Sequence, residues 1–392
     1  MAGNVDYLLP LSSLIAGDLP KGYFFPYCAS TYNENFWLRN VNKYVRFDIS
    51  KNRTVEYMGT VGPQRVLSVF GDEIPILMDQ EPPTPLSEHW RRWMSGFASP
   101  VLKKVKEGLT DNSPVMTYMA TESIRSEKHF IDPDLLYKLQ LKSTIPEIGV
   151  QCPKHYQEGG EIEFPCFVKV DQSNGGLGVT QVNNQEELAA KLKSIREDSG
   201  WKKGIVLQES VDDVLEVPTF NFYLKKSGEI VWVGTAVSGF TGFSWNAANI
   251  NWKDQDHYYN LVYEEFTKPI AKFLHEKGYF GFVNFECLIT KDGKYLNDLN
   301  PRIATSTVHI TAARYMASLG FDYSCFDSSK VVKLTGKEVV ELADTINVKG
   351  DARVTILAYE DLEKGGSMIS FAVFSKSMEI ARDLREKIIG CN

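Results

Sequence analysis

The sequence lacks the groupings that announce a metal framework, a membrane span or a nucleic-acid surface. Its six cysteines, at positions 28, 152, 166, 287, 325 and 391, include no C-x-x-C pair, and its six histidines do not cluster. That scatter excludes a zinc ribbon, an H-E-x-x-H metalloprotease and a disulfide-stapled scaffold, and it predicts reduced thiols in a cytoplasmic protein. No run approaches the roughly 20 apolar residues that a membrane-spanning helix needs. The opening MAGNVDYLLPLSSLIAGDLPKG has neither the basic start nor the long apolar stretch of a signal peptide. Basic charge is short as well: 43 Lys and Arg against 50 Asp and Glu leave a net charge of −7, which argues against nucleic acid as a partner. The glycine-rich loop DQSNGGLG (171–178) has no G-K-[ST], so it is not a P-loop, and no helix follows it at once as in a dinucleotide-binding turn. Internal repeats and low-complexity segments are absent.

What is present is an ordinary globular composition, 43% apolar and 24% charged over 392 residues, enough for two or three packed units. Residues 1–120 read as a small α/β unit, with strand-like runs at Tyr44–Ile49, Val66–Phe70 and Val115–Met119 and helical stretches at Leu86–Trp93 and Pro100–Glu107. Trp90, Trp93 and Phe97 form a helical stripe that reads as core. Asp132 followed by Pro133 marks a helix start. Lys138 and Lys142 are four apart and are expected on one helix face. IEFPCFVKV and VTQV flank the glycine loop as a hairpin, and Asn184 with Glu187 caps a helix. VPTFNFYLKKSGEIVWVGTAV is a hairpin turning at Ser227-Gly228, and YEEFTKPIAKFLHEKG is an amphipathic helix closed by Gly278. FGFVNFECLITKDGKYLNDLN is a hairpin turning at Lys291–Gly293, residues 307–319 are helical, and 351–392 give two strands and a last helix. The loop SGFTGFSWNAANINW (238–252), rich in Gly, Asn and aromatics, is expected to be a lid or a packed surface loop.

The chemistry gathers around GKYLNDLNPR (293–302). Strand alternation puts Asp298, Asn300 and Arg302 on one face. The turn at Lys291–Gly293 brings Glu286 opposite Asp298. Two carboxylates side by side need a proton or a cation between them. Carboxylate and amide oxygens suit Mg²⁺, which also binds phosphates. Lys169 leaves an apolar strand just before Gly175, Gly176 and Gly178, where a buried ammonium calls for an anion. Glu209 ends a strand, and Glu216 follows seven residues later.

This order of parts resembles the ATP-grasp superfamily from about Ile131 to His309. The resemblance implies two α+β subdomains gripping ATP (123–210 and 211–392), preceded by a small α/β domain (1–122). It implies ATP held by Lys138 or Lys142, by Lys169 and by the loop of Gly175, Gly176 and Gly178. Adenine would lie by the strand end at Gln208, Glu209 and Val211, and ribose on Glu216. Glu286, Asp298 and Asn300 would hold Mg²⁺, with Mn²⁺ as a substitute, and Arg302 would steady an acyl phosphate. The family usually has Glu where Asp298 stands. The implied activity is ligation of a small carboxylate to an amine, the substrates being amino-acid-like, and a homodimer is compatible with it. A biotin-type or purine-type carboxylase, a kinase on the same fold and a non-catalytic nucleotide-binding regulator stay open. A biotin-type carboxylase would carry a glutamate at 306, which is serine here.

Overall fold

The computed structural model describes residues 7–26, 40, 42–47, 53–173, 175–198 and 201–390, with residues 53–59 by backbone alone. Three β-sheets organise the chain. The first is parallel, ordered β3-β2-β1-β4 from β1 (Tyr23–Phe25), β2 (Ile76–Leu77), β3 (Leu102–Lys103) and β4 (Val115–Thr117). The second is antiparallel, ordered β5-β8-β6-β7 from β5 (His155–Tyr156), β6 (Cys166–Val170), β7 (Val179–Val182) and β8 (Ile205–Glu209). The third contains β9 (Pro218–Leu224), β10 (Ile230–Thr241), β11 (Ser244–Asn251), β12 (Gly281–Ile289), β13 (Lys294–Asn300), β14 (Tyr323–Val332), β15 (Ala352–Asp361) and β16 (Ser367–Ser375), ordered β13-β12-β9-β10-β11-β14-β16-β15.

The large sheet is coated on both faces. Phe220, Phe222, Phe285 and Leu296 on one face pack with Val262, Phe266, Ile270 and Leu274 from the helical run Gln255–Glu276. On the other, Val308, Ile310, Ala313 and Met316 of the helix Thr305–Ser318 share a core with Val66, Leu67 and Phe70. Phe285 and Cys287 are buried among the first group, so Glu286 between them faces the other side.

Several local readings need correction. Val66–Phe70 is not a strand: it ends the helix Arg53–Phe70 and buries its apolar residues against the parallel sheet. A short apolar run cannot by itself separate a buried helix from a strand. Of Pro100–Glu107, Leu102–Lys103 is a strand and the helix starts only at Val105. Tyr44–Phe47 joins no ladder, and residues 48–49 lie outside the described residues, as do Cys28 and Cys391. Residues 238–251 are not a loop but the tip and second strand of the β10–β11 hairpin, turning at Gly242, with that strand lying inside the sheet against β14 and Trp252 opening a 3-10 turn. Of the expected stripe, Trp90 and Phe97 are buried core, but Trp93 is half-buried and donates to Asp344 at 2.6 Å, and the helix Thr84–Trp93 ends before Phe97. Among the described residues no helix is long and apolar enough to cross a membrane.

One connection bears on the site. Asn40 donates to the Ala120 carbonyl and accepts from the Glu122 amide, at 2.7 and 2.8 Å. Farther along, Tyr137 donates to Val45 O at 2.6 Å and the Phe47 amide donates to Gln172 O at 2.8 Å. Phe47 also meets Trp201 edge-on at 5.4 Å. Residues 42–47 therefore run from the parallel sheet onto the small antiparallel one.

Candidate functional site

The small sheet and the large sheet meet through Lys169 and the glycine loop. On the small sheet, the register aligns His155 with Gln208 and Gln208 with Phe167, two residues from Lys169, so these side chains share a face. Val168, Cys166 and Leu207 point the other way into a separate core. On the large sheet, Glu286 pairs with Asp298 and Asn284 with Asn300. The expected pairing is met, but not through a three-residue turn: Ile289 pairs with Lys294, so residues 290–293 make the connection and Glu286 would face Asn297 but for a bulge.

A β-bulge sets the geometry here. Glu286 opposes Asp298, but Cys287 opposes Leu296, so Asn297 is an extra residue. Leu296 and Leu299 both reach the core, and Asn297 and Asp298 consequently sit together on the opposite side. The Lys169 ammonium crosses from the small sheet to donate to Asn297 Oδ1 at 2.9 Å. Burial pulls the Lys169 pKa down to about 8, against the opposing pull of Asp298 and Glu286. Glu286 is shifted upward, first by burial and then by the facing Asp298 carboxylate. One of its oxygens, Oε2, is buried without a hydrogen-bond partner. Nothing in the sequence spacing singled out Asn297; the only trace was a pair of leucines three apart in a strand that should alternate.

The lysine pair is split. The helix Pro133–Leu139, capped by Asp132 and started by Pro133, ends before Lys142, which opens a separate 3-10 turn. Lys142 Nζ lies 3.4 Å from Ser173 Oγ and acts electrostatically on both Lys169 and Glu286. Lys138 turns outward to an exposed pairing with Glu147 at 3.8 Å. Asp171 fixes the start of that turn, accepting from Ser143 N and Oγ at 2.8 Å.

The glycine loop packs against the β10–β11 tip. Gly176 has φ +81°, and a Cβ there would lie 2.0 Å from the Phe243 carbonyl oxygen. Phe243 meets Phe167 edge-on at 5.2 Å. Gly175 and Gly178 also have positive φ, and a Cβ on Gly178 would meet the Phe47 ring. Gln208 Nε2 lies 3.1 Å from His155 Nε2. Burial, and secondarily Lys169, push His155 down, so its ring is neutral and accepts this bond. Glu209 and Val211 are half-buried where the chain leaves the small sheet. Glu216 accepts from the Tyr258 hydroxyl at 2.9 Å.

Arg302 is held at the far end of the acidic row. Its Nη2 donates to Asn300 Oδ1 at 2.8 Å, its Nη1 to Tyr118 Oη at 2.6 Å, and Asn300 Nδ2 donates to Asp298 at 3.0 Å. Asn300 thus links Asp298 to Arg302. Ser306, at the position of the missing glutamate, is buried with its hydroxyl near the Asn284 and Asn221 amides at 3.3 and 3.5 Å.

A lysine-bearing glycine hairpin set against an acid…acid-x-Asn-x-Arg hairpin is the arrangement of the ATP-grasp fold. The same fold occurs in N5-carboxyaminoimidazole ribonucleotide synthetase from Thermus thermophilus, with a TM-score of 0.55 and 13% identity over 83% of this chain and 95% of that one. It occurs in N5-carboxyaminoimidazole synthetase from Staphylococcus aureus in complex with ADP, with a TM-score of 0.53 and 12% identity over 94% and 97% of the two chains. The Aspergillus clavatus N5-carboxyaminoimidazole synthase, complexed with ADP and 5-aminoimidazole ribonucleotide, has a TM-score of 0.51 at 12% identity over 84% of this chain and 95% of that one. In sequence, the chain is 30% identical over 111 residues to 5-formaminoimidazole-4-carboxamide-1-(beta)-D-ribofuranosyl 5'-monophosphate synthetase of Pyrobaculum calidifontis, a stretch covering 28% of each protein. No family model matches.

Proposed function

We propose that this protein is an ATP-dependent ligase that activates a carboxylate as an acyl phosphate and passes the acyl group to an amine, releasing ADP and phosphate. The observation that carries the reading is the crossing of Lys169 from the glycine hairpin to the acidic hairpin, which sets a cation and a carboxylate pair around one space. ATP would lie between the sheets, its phosphates beside Lys169 and Lys142 and beneath the glycine loop. Glu209, Val211, Glu216 and Gln208 would border adenine and ribose. Lys138, exposed and paired with Glu147, is the weaker of the two phosphate candidates.

The acidic pair fits a divalent metal. A buried carboxylate oxygen without a donor beside a second carboxylate is the chemistry that Mg²⁺ satisfies. Among the described residues no three His, Cys, Asp or Glu side chains gather, so phosphates and water would complete the shell, as Mg²⁺ usually arranges. The metal would be held by Glu286 and Asp298 and would supply charge neutralisation on the transferring phosphoryl group. Asn300 fits less directly, since its oxygen faces Arg302; it would position both neighbours. Arg302, with a planar fork of donors, would bind the acyl phosphate oxygens.

A second reading has specific support. The structural neighbours are carboxyaminoimidazole synthetases, so the activated acid could be bicarbonate and the amine an aminoimidazole. Buried Ser306 in place of an acid weighs against a bicarbonate base. ADP release by the purified chain with MgATP, measured over carboxylates with and without amino acids and over bicarbonate with aminoimidazole ribonucleotide, decides between them. Stoichiometric ADP and free phosphate only with acid plus amine supports the ligase; phosphate retained on a product would make the protein a kinase, and no turnover with tight ATP binding would make it a regulator.

A further inference from the structure

Arg65 is a charged group that the proposed reaction does not use. It lies in the helix Arg53–Phe70 and is 4% exposed. Its Nη1 donates to the Ser328 carbonyl at 2.8 Å, and among the described residues no carboxylate pairs with it. Asp327, next to Ser328, is the nearest acid in sequence to that contact, but Arg385 engages it, Nη2 to Oδ1 at 2.9 Å. Burial lowers the Arg65 pKa only to about 10, so the guanidinium is charged at neutral pH. A buried cation with no countercharge among the described residues is unfavourable.

Its place in the fold suggests where a countercharge would come from. Phe70 of the same helix stacks on Phe24 of β1 with centroids 5.1 Å apart. Arg65 lies five residues earlier, about 7.5 Å toward the helix start. A helix packed on a parallel sheet runs against its strands, so this shift brings Arg65 to the level of the strand C-terminal ends. Tyr118 follows β4 at that edge; it is the ionisable neighbour that acts on Arg65, and its hydroxyl accepts from Arg302. Open α/β sheets receive ligands outside the carboxyl ends of their strands.

We propose that Arg65 binds an oxyanion, a carboxylate or a phosphate, carried by the non-nucleotide substrate away from its reacting group, with Tyr118 between this anion and Arg302. The non-nucleotide substrate is therefore itself anionic at a second position. Only the identity of the reacting end rests on the ligase reading; the anion site does not.

The test uses the full chain without nucleotide, with succinate and inorganic phosphate as probes, read by calorimetry and by thermal shift. At least one probe is expected to bind, and whichever binds more tightly names the source of the oxyanion. Arg65→Met should weaken it roughly tenfold or more, the loss expected for a charge-assisted pair. The same variant should raise the melting temperature of the ligand-free protein and leave MgATP affinity unchanged. Arg65→Lys, which keeps the charge but not the fork, should bind with intermediate strength. Probe binding that is absent in the wild type, or unaltered in Arg65→Met, overturns the proposal. So does failure of both variants to fold, which would make Arg65 structural. Loss of MgATP binding by the wild type would instead remove the ligase reading and leave the anion result standing.

Discussion

Lys169 carries a buried charge that costs stability. Folded, its pKa is about 8, against 10.5 for a free lysine. A lysine with a depressed pKa binds fewer protons in the native state, so its charge opposes folding below about 8, and stability climbs as pH rises from there toward 10.5. Phosphate needs the charged form. ATP affinity should therefore fall over the range in which intrinsic stability rises, and Lys169→Arg should flatten the affinity profile because guanidinium stays protonated. Calorimetric ATP titrations between pH 7 and 10 check this; an identical profile in Lys169→Arg removes Lys169 from the phosphate site. Lys169→Ala should fold and lose tight ATP binding altogether. Arg302 should behave differently, since it sits beyond the acidic pair and is fixed by Asn300 and Tyr118. Arg302→Lys should lower kcat by about 10²-fold or more, the scale of a lost oxyanion donor, with little change in the Kd of a non-hydrolysable ATP analogue. A collapse in nucleotide affinity at normal kcat would show that Arg302 binds ATP instead.

At the level of elements, the acidic hairpin was legible and its bulge was not. A turn near Lys291–Gly293 put Glu286 and Asp298 close to each other from spacing alone, although the register of the strands next to the turn would carry Glu286 to Asn297 and the bulge is what brings Asp298 opposite. The bulge depends on which leucines the helical run behind the sheet can bury, a tertiary choice that only the unequal step from Leu296 to Leu299 betrayed. Val66–Phe70 misled for a related reason: branched and aromatic residues suit a strand, but packing on the parallel sheet made them helical. The lysine pair at 138 and 142 assumed one continuous helix, and Gln140 at its end breaks that continuity. The β10–β11 tip, expected as a loop, is instead a firm counterpart to the glycine loop. Gly176→Ala should separate the two, because φ +81° and the Phe243 oxygen both oppose a Cβ. Expected is a roughly tenfold weaker ATP affinity, about the free energy of one strained residue, with an unchanged melting temperature. Wild-type affinity in that variant would mean that the contact does not shape the nucleotide site.

For the molecule as a whole, the last helix is secured by charge as well as by apolar contact. Asp327 is fully buried on the central face of the large sheet, and Arg385 of the helix Met378–Ile389 reaches it with two nitrogens. Arg385→Met should destabilise the chain by about 1.5–3 kcal/mol, the loss of charge-assisted hydrogen bonds, since Lys330 at 3.5 Å still faces the buried carboxylate. Denaturant unfolding measures this. Asp327→Asn with Arg385→Met should recover part of the loss, and a single variant as stable as wild type would show that the pair is dispensable.

The segment Asn40–Phe47 has a mechanical consequence. It is fastened at one end to Ala120 and Glu122 and at the other to Gln172 and Trp201, directly under the glycine loop. A small sheet that swung freely on the crossing segment 210–217 would need slack there, and the fastened segment provides little. Separating the two sheets must either drag the parallel sheet along or unzip Phe47 from its seat. Any displacement of the small sheet from the parallel one would have to release these contacts one after another.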